Sequence, residues 1–343
     1  NPYFDNGIKF FSGEGKKLSN ELQQAINAEL EKDIYIENTA ALGKSVRVND
    51  ANGRYIEFCK STFPYHYDLR NLKIVVDCAN GAASEVGPKV LRAMGAQVIS
   101  ICDLPDGSNI NDHCGSTHIE KLQEAVLKYK AHIGLAFDGD ADRLMAVDAQ
   151  GQVVDGDQIM VILGMYMQAH GWLDGQVVVT VMSNLGLKKA FEAAGIKVVE
   201  TKVGDRFVLE KMLEIGAWLG GEQSGHIILT RDATTGDGLM TALHLLLVMQ
   251  KTGQSLADLA GQMTRYPQVL INVPVKSKEG WQTNPDIVAG CEAVNKALDG
   301  KGRLLVRPSG TEPLLRVMVE GPDKDEIQGL AQELAQIISK ALS

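Results

Sequence analysis

Three carboxylates alternate in one short loop, Asp138, Asp140 and Asp142, within the sequence Asp-Gly-Asp-Ala-Asp-Arg. The loop follows an apolar segment, 132–137, that predicts a buried strand. Carboxylates at a strand end can turn their oxygens toward one point, and Mg²⁺ prefers oxygen ligands and keeps positions free for phosphate oxygens. Three like charges this close repel one another unless a cation neutralises them. The loop therefore predicts a Mg²⁺ site, with Arg143 beside it.

Other interpretations of this acidic loop fit the residues less well. A calcium-binding EF-hand loop needs Gly at its sixth position and Glu at its twelfth, where the chain has Arg143 and Ala149. A haloacid-dehalogenase loop, of the type Asp-x-Asp-x-Thr, needs Thr where Asp142 stands. A solvated acidic turn stays open as the alternative to the metal site.

A second cluster, near the C-terminus, has the chemistry of a phosphate site. It reads Arg-Pro-Ser-Gly-Thr-Glu-Pro over 307–313, and Arg316 follows. The N–H groups of a tight turn, two hydroxyls and two guanidinium groups together match a phosphate dianion. A hairpin turn with surface arginines is the alternative. The residues that we expect to hold phosphate are Arg307, Ser309, Gly310, Thr311 and Arg316.

A third polar loop, 220–226, reads Gly-Gly-Glu-Gln-Ser-Gly-His. Glu222, Ser224 and His226 occupy alternating positions, so in an extended segment all three would project to one side. Such a row of polar groups suits neighbouring sugar hydroxyls. A structural role for the histidine is the alternative.

A strand–helix–strand order occurs twice along the chain. The two copies cover 72–81, 86–95 and 96–100, and then 175–184, 186–195 and 196–200. Repeated units of this kind predict parallel strands with flanking helices. Lys202 and Arg206 come just after the last strand and are candidates for binding a second phosphate. A surface ion pair is the alternative for them.

The two ends of the chain depart from this pattern. Residues 1–33 begin with a glycine-punctuated stretch and continue into an acidic helix with Ser19 as its N-cap, which is less than a domain. From 266 onward a strand, a strand pair and a terminal helix follow. We therefore predict a multi-domain protein of the α/β class with mixed sheets. Its parts are the tail of a first α/β domain at 1–33, two complete α/β domains at 50–150 and 151–265, and an α+β domain at 266–343.

Length and composition narrow the class of partner. The 343 residues allow two to three domains at roughly 150 residues each. With 34 Lys+Arg against 43 Asp+Glu the net charge is -9, which disfavours nucleic acids and anionic membranes as partners. The apolar stretch 243–249 is far shorter than the ~18 residues of a membrane span. Five cysteines without a C-x-x-C pair predict reduced thiols in a cytoplasmic protein, and neither disulfides nor a zinc site.

In this order, the loops DGDADR, GEQSGH and RPSGTEP resemble those of the α-D-phosphohexomutases, and the resemblance spans nearly the whole chain. The family has four domains around a deep cleft, three of them α/β and the last a smaller α+β unit. The opening NPYFDNGIK resembles the segment behind the family's active-site serine, whose motif reads Ser-His-Asn-Pro. This implies a serine two residues before Asn1, with most of one domain preceding it.

The resemblance also implies a reaction. A phosphoserine gives its phosphoryl group to glucosamine 6-phosphate, and the resulting 1,6-bisphosphate reorients and returns its 6-phosphoryl group, so glucosamine 1-phosphate leaves. Mg²⁺ would lie on the acidic loop, and Arg143 would contact the same phosphoryl group. Lys9, in Asn-Gly-x-Lys, would be the general base or acid, provided that nearby cations lower its pKa. Glu222 and Ser224 would hold the sugar, His226 would support their loop, and the C-terminal loop would anchor the non-reacting phosphate.

Three alternatives stay open at this point. A phosphoglucomutase or phosphomannomutase differs mainly in the sugar loop, where Met typically stands at the position of Gln223. A phosphatase would need an aspartate that becomes phosphorylated. A phosphosugar-binding fragment would keep the loops without the serine, and we expect no mutase turnover from these 343 residues alone. A phosphorylated amino sugar is the expected partner, and a homodimer is kept as a candidate assembly.

Overall fold

The computed structural model describes residues 1–5, 7–33, 42–310 and 312–342. Its first elements are two helices, α1 at Asn20–Leu30 and α2 at Ala51–Ser61. The Ser19 hydroxyl accepts a hydrogen bond from the backbone N–H of Leu22 at 3.4 Å, so the predicted N-cap of α1 is confirmed. No residue of α1 is buried.

The first sheet has the strand order β2-β1-β3-β4-β5 and is mixed, because β1 pairs in parallel with β2 and β3 while β4 is antiparallel to β3 and β5. Apolar side chains from β1 and β3 pack against α4, around Val75, Leu122 and Val126. The strands are β1 Lys73–Asp77, β2 Gln97–Ile101, β3 Ile133–Phe137, β4 Leu144–Asp148 and β5 Val153–Val154, and the helices are α3 Ala83–Ala93 and α4 Glu120–Tyr129. A short 3-10 helix covers Gly115–Thr117.

The second sheet repeats the strand–helix–strand order, as the sequence predicted, in the order β7-β6-β8-β9 with only β9 antiparallel. Two long apolar helices, α5 and α8, pack against each other. The elements are α5 Gly156–Ala169, β6 Gln176–Thr180, α6 Leu185–Ala193, β7 Lys197–Thr201, α7 Asp205–Ile215, β8 Leu219–Gly221, β9 Ile227–Leu229, α8 Gly238–Thr252 and α9 Leu256–Ala260.

The third sheet is antiparallel throughout, in the order β10-β12-β11, and two helices complete its core. Inward side chains such as Val273, Val317 and Leu334 are buried there. The elements are β10 Gln268–Pro274, α10 Pro285–Leu298, β11 Arg303–Pro308, β12 Leu314–Glu320 and α11 Lys324–Ala341. The strand pair and terminal helix predicted for this end are confirmed.

The chain divides into two compact units. The first unit is 1–182 with 195–262, and the second is 183–194 with 263–343. The α/β class with mixed sheets, predicted from the alternating pattern, is confirmed. Among the described residues, no helix is long and apolar enough to cross a membrane.

Candidate active site

The acidic loop connects two antiparallel strands. Phe137 at the end of β3 pairs with Leu144 at the start of β4, so the loop 138–143 is fixed at both ends. Ala141, at φ +62°, donates its N–H to the carbonyl of Asp138 at 3.1 Å and turns the chain back on itself. One carboxylate oxygen from each of Asp138, Asp140 and Asp142 lies within 4.8 Å of the other two. The loop therefore gathers the three carboxylates as the spacing predicted.

This gathering perturbs the ionisation of the loop. Burial and the charges of Asp142 and Asp140 raise the pKa of Asp138 to about 6. Burial acts the same way on Asp142, but hydrogen bonds and charges from His226 and Lys9 outweigh it and lower its pKa to about 2. The cluster is thus an electrostatically strained set of carboxylates that draws cations to it.

Lys9 is one such cation. Its Nζ donates to Asp140 Oδ2 at 2.5 Å and to Asp142 Oδ2 at 3.1 Å. Burial lowers the pKa of Lys9, but the two carboxylates raise it by more. The pKa therefore lies above its ordinary value. The lowered pKa expected for a general base is therefore wrong for this arrangement, because the groups nearest to Lys9 are anions rather than cations. A cavity of about 990 Å³ is lined by Lys9 and other residues of 7–19, by α1 and α7, and by Asp142.

The residues of the acidic loop fit Mg²⁺. All three donors are carboxylate oxygens, the ligand type that this ion takes, and ligands on an octahedral Mg²⁺ lie about 2.9 Å apart. Carboxylates already within 4.8 Å reach that spacing by small side-chain rotations. The ammonium group of Lys9 lies against two of the three carboxylates, which shows that the cluster accepts positive charge.

Arg143, the last residue of the loop, forms two long ion pairs with carboxylates of the loop. Its Nε is 3.7 Å from Asp138 Oδ2 and 3.8 Å from Asp142 Oδ1. Within the described part of the chain that buried Nε has no hydrogen-bond partner. A buried guanidinium N–H without a partner is costly, so Arg143 is suited to an anion that comes from outside.

His226 connects the acidic loop to the loop at 222–226. Its side chain is 4% exposed, and its Nδ1 lies 3.4 Å from Asp142 Oδ1. The backbones of Arg143 and His226 form an antiparallel bridge. Gly236 covers the imidazole so closely that a Cβ there would lie 2.5 Å from Nε2. His226 therefore positions Asp142, and its burial leaves no face for a sugar.

The loop at 222–226 is a turn, which differs from the extended segment that the alternating residues predicted. Gly225 donates its N–H to the Glu222 carbonyl at 3.0 Å, and β8 and β9 pair on either side. Glu222 Oε1 accepts from the N–H of Gly204 at 3.0 Å, while Ser224 is exposed. The segment is therefore not extended, because Gly225, at φ +92°, closes a tight turn between the two strands.

The two basic residues behind β7 lie in different surroundings. Lys202 is exposed. Arg206 Nε donates to Glu210 Oε1 at 2.6 Å, and another of its nitrogens donates to Asn20 Oδ1. Arg206 thus forms the surface ion pair that was the alternative to a phosphate contact.

In the second unit, the predicted phosphate loop connects β11 and β12. Arg307 and Arg316 are directly opposite each other across the two strands. Burial and the charge of Arg316 lower the pKa of Arg307. Like charges in such a pair are destabilising. The carboxylate of Glu312, which accepts from Arg316 at 3.2 Å, offsets part of this repulsion, and a bound anion would relieve the rest. Among the described residues, the buried Nε of Arg316 has no hydrogen-bond partner.

Lys278 joins this loop, and the sequence reasoning missed it. Its Nζ donates to the carbonyls of Ser309 at 2.8 Å and Glu312 at 3.3 Å. Ser309 is buried, and Gly310 has open space around its Cα. Thr311, also expected at the site, lies outside the described residues. No local signal marks Lys278, because thirty residues and a helix separate it from the loop.

Asp237 was also missed in the first unit. It caps α8 by accepting from the N–H of Met240 at 2.8 Å, and it accepts from the Tyr55 hydroxyl at 2.8 Å. Gly238, next to it, donates to the carbonyl of Ala141 in the acidic loop at 2.9 Å. An aspartate directly before an apolar helical run is an N-cap signal that could have identified the first of these contacts.

Three ranges of the chain match models of known protein families. Residues 53–151, 155–266 and 270–337 match, in that order, the families described as phosphoglucomutase/phosphomannomutase alpha/beta/alpha domain II, alpha/beta/alpha domain III and C-terminal domain. The chain belongs to the phosphoglucomutase/phosphomannomutase family. The resemblance to the α-D-phosphohexomutases is therefore confirmed.

Two relatives of known name show which members of the family the chain is similar to. The phosphoglucosamine mutase of Acinetobacter baumannii is 55% identical over 338 residues, which cover 98% of this chain and 75% of that protein. The phosphoglucosamine mutase of Desulforamulus reducens is 55% identical over 343 residues, covering 98% of this chain and 77% of that protein. The crystal structure of Aspergillus fumigatus N-acetylphosphoglucosamine mutase in complex with GlcNAc-6P and magnesium has a TM-score of 0.80 at 19% identity, and covers 100% of this chain and 88% of that one. That structure shares the fold of this member of the family.

Proposed function

We propose that the chain is a phosphoglucosamine mutase, which interconverts glucosamine 6-phosphate and glucosamine 1-phosphate through a phosphoserine and a 1,6-bisphosphate. The observation that carries the proposal is the junction of two loops: the acidic loop and the loop at 222–226 meet backbone to backbone through Arg143 and His226. One site thereby contains both a carboxylate cluster suited to a metal and a polar loop suited to sugar hydroxyls. The amino sugar is supported by the two relatives at 55% identity.

Asp138, Asp140 and Asp142 would hold Mg²⁺, which when bound would spread the charge of the transferring phosphoryl group. Arg143, whose Nε lacks a hydrogen bond within the described residues, would contact an oxygen of the same group. Lys9 lies against Asp140 and Asp142 and is our candidate for moving the proton of the attacking hydroxyl. For that role its Nζ must leave the carboxylates that it contacts here.

The exposed part of the turn at 222–226 would bind the sugar. Ser224 is exposed and presents its hydroxyl to ligands, while Glu222 is held in place by the N–H of Gly204. His226, buried behind them, keeps Asp142 oriented and is a positioning residue. Lys202 stays a candidate for a phosphate contact, whereas Arg206 would first have to leave Glu210.

The non-reacting phosphate is assigned to the C-terminal loop. Arg307 and Arg316 face each other there, and Lys278 adds a third positive charge. Two guanidinium groups and an ammonium can bind a dianion in more than one orientation. This suits a site that must accept both ends of the bisphosphate in turn. Thr311 and the N–H of Gly310 stay predicted partners.

Turnover and binding must be tested separately, because the predicted serine stands before Asn1. A chain extended to include the predicted serine should interconvert the two glucosamine phosphates, with higher kcat/KM than for glucose or mannose 1-phosphate. The 343-residue chain should bind glucosamine 6-phosphate without turnover. Preference for glucose or mannose phosphates would favour the other mutases of the family, and release of inorganic phosphate with a trapped phospho-aspartate would favour a phosphatase.

The proposed product would supply the synthesis of UDP-N-acetylglucosamine and cell-wall precursors. A cytoplasmic location and a homodimer stay predictions. The oligomeric state is measured by light scattering of the purified chain.

A further inference from the structure

Two cysteines and one aspartate come together behind the acidic loop, at the carboxyl ends of β1 and β2. Asp77 ends β1, Cys102 follows β2, and Cys114 precedes the 3-10 helix. One carboxylate oxygen and the two sulfurs all lie within 4.8 Å of one another. We propose that Asp77, Cys102 and Cys114 form a binding site for a thiophilic divalent transition metal, of which Zn²⁺ is the biological representative.

The donor set separates this site from the one on the acidic loop. Thiolates are soft ligands that select Zn²⁺ and similar metals, whereas Mg²⁺ takes oxygen ligands. Zinc–sulfur bonds are about 2.3 Å long, so two sulfurs on one tetrahedral zinc lie about 3.8 Å apart. The sulfurs of Cys102 and Cys114 lie within 4.8 Å of each other, so an approach of about 1 Å brings them to that spacing. Three protein ligands would leave a fourth position for water.

Asp77 is held ready for such a role. It is fully buried, and its two carboxylate oxygens accept hydrogen bonds from the N–H groups of Ala79 and Gly115, both at 2.9 Å. A carboxylate has about four lone-pair positions, so each oxygen keeps one for a metal. Fixed ligands reduce the ordering that metal binding requires.

The two cysteines differ in access. Cys114 is fully buried, while Cys102 is partly exposed and leaves a path for an ion. Burial, then the nearby sulfur of Cys102 and the carboxylate of Asp77, raise the pKa of Cys114 to about 12. The metal must therefore displace thiol protons, and binding should tighten as the pH rises.

The site adjoins the acidic loop through the backbone. Ala79, two residues after Asp77, accepts from the N–H of Asn111, and Ala82 donates to the carbonyl of Gly139 at 2.9 Å. The segments that carry the cluster thus touch the loop that carries the three carboxylates. Sequence spacing could not indicate this site, because its ligands come from two strand ends and the start of a 3-10 helix and form no C-x-x-C pair.

The test uses Co²⁺ as a spectroscopic probe for zinc, on the reduced 343-residue chain with excess Mg²⁺ to occupy carboxylate sites. One equivalent of Co²⁺ should give thiolate-to-cobalt charge-transfer absorption, and one equivalent of Zn²⁺ should abolish it. Cys102→Ala and Cys114→Ala should each reduce the absorption by at least half. Cys78→Ala is the matched control, since Cys78 is buried beside Asp77 but is not part of the cluster.

Circular dichroism of each variant establishes that it folds. Should Cys114→Ala unfold, Cys102→Ala at the partly exposed position decides alone. The proposal is overturned if the reduced wild-type chain gives no thiolate absorption, if both cluster variants keep it, or if Cys78→Ala loses it to the same degree. A Cys102–Cys114 disulfide in freshly purified protein, seen as a loss of two hydrogens in the intact mass, would also overturn it.

Discussion

Gly225 lies where the acidic loop meets the turn at 222–226, and its replacement by Ala should drive the two apart. Its φ is +92°, in the left-handed region. A Cβ at this position would lie 2.2 Å from the carbonyl oxygen of Leu144 and 2.8 Å from its carbonyl carbon. Both are backbone atoms, so no side-chain rotation relieves the contact. The Gly225 carbonyl also accepts from the N–H of Leu144 at 3.0 Å, which fixes the approach.

The structure sets the size of the effect. A residue with a Cβ in the left-handed region loses about 1–2 kcal/mol. Relieving the 2.2 Å contact requires the strands to separate by about 1 Å, which breaks the hydrogen bond to Leu144 and leaves a buried group unpaired, at about 1–3 kcal/mol. Gly216 is the matched control, because its φ is +71° and nothing lies within 4 Å of its Cβ position. Gly216→Ala should therefore show the first loss alone.

The assay is thermal unfolding followed by tryptophan fluorescence, with Trp172 and Trp218 reporting on the first unit. In a unit of this size 1 kcal/mol corresponds to about 2–4 °C in Tm. Gly225→Ala should melt roughly 2–12 °C below Gly216→Ala. In the serine-containing chain it should also lower kcat, because Asp142 and His226 move with the junction. Equal Tm values for the two variants would refute the argument that the close approach at Gly225 is required.

Three further predictions concern the ligands. Asp140→Asn should weaken Mg²⁺ binding about 10–100-fold in a thermal-shift titration. EDTA should remove the stabilisation that Mg²⁺ gives the wild type. Asp174→Asn, at an exposed position, should bind Mg²⁺ as the wild type does. Since the pKa of Asp138 is about 6, this carboxyl is protonated below that pH, so calorimetry should show Mg²⁺ affinity falling as the pH drops from 7 to 5; constant affinity across that range would contradict it. Lys278→Met should weaken binding of glucosamine 6-phosphate about 10–100-fold, as expected for loss of a charged hydrogen-bonding group. Lys276→Met, at an exposed lysine, should leave this affinity unchanged. Equal affinities in the two variants would show that Lys278 is not part of the site.

The sequence was sufficient for the strand–helix–strand units and for the positions of the acidic, polar and phosphate loops. Apolar runs such as 133–137 and 144–148 are short and continuous, and they form buried strands with the acidic loop between them. Helix α3 begins at Ala83, three residues earlier than predicted, although Pro88 lies inside it. Local pattern determines where these strands lie, but not where this helix begins.

Contacts between distant segments could not be read in the same way. Lys278 reaches Ser309 only because β10 and β11 flank β12 in one sheet. The pKa of Lys9 depends on carboxylates more than a hundred residues away. The turn at 222–226 differs from the predicted extended segment for a local reason, since Gly225 lies in the left-handed region at φ +92°.

The two charged loops break the same local rule with opposite signs. In the first unit three carboxylates converge, and in the second Arg307 and Arg316 oppose each other across a strand pair. Neither arrangement stabilises the fold by itself, since like charges in contact repel. Both loops connect antiparallel strands whose register fixes the two ends, so the fold holds the charges together against that repulsion. Each repulsion is relieved when an ion of opposite charge binds, a cation at the carboxylates and a phosphate at the arginines. Local consistency departs from stability at both loops, as a site for a metal and a phosphorylated ligand requires.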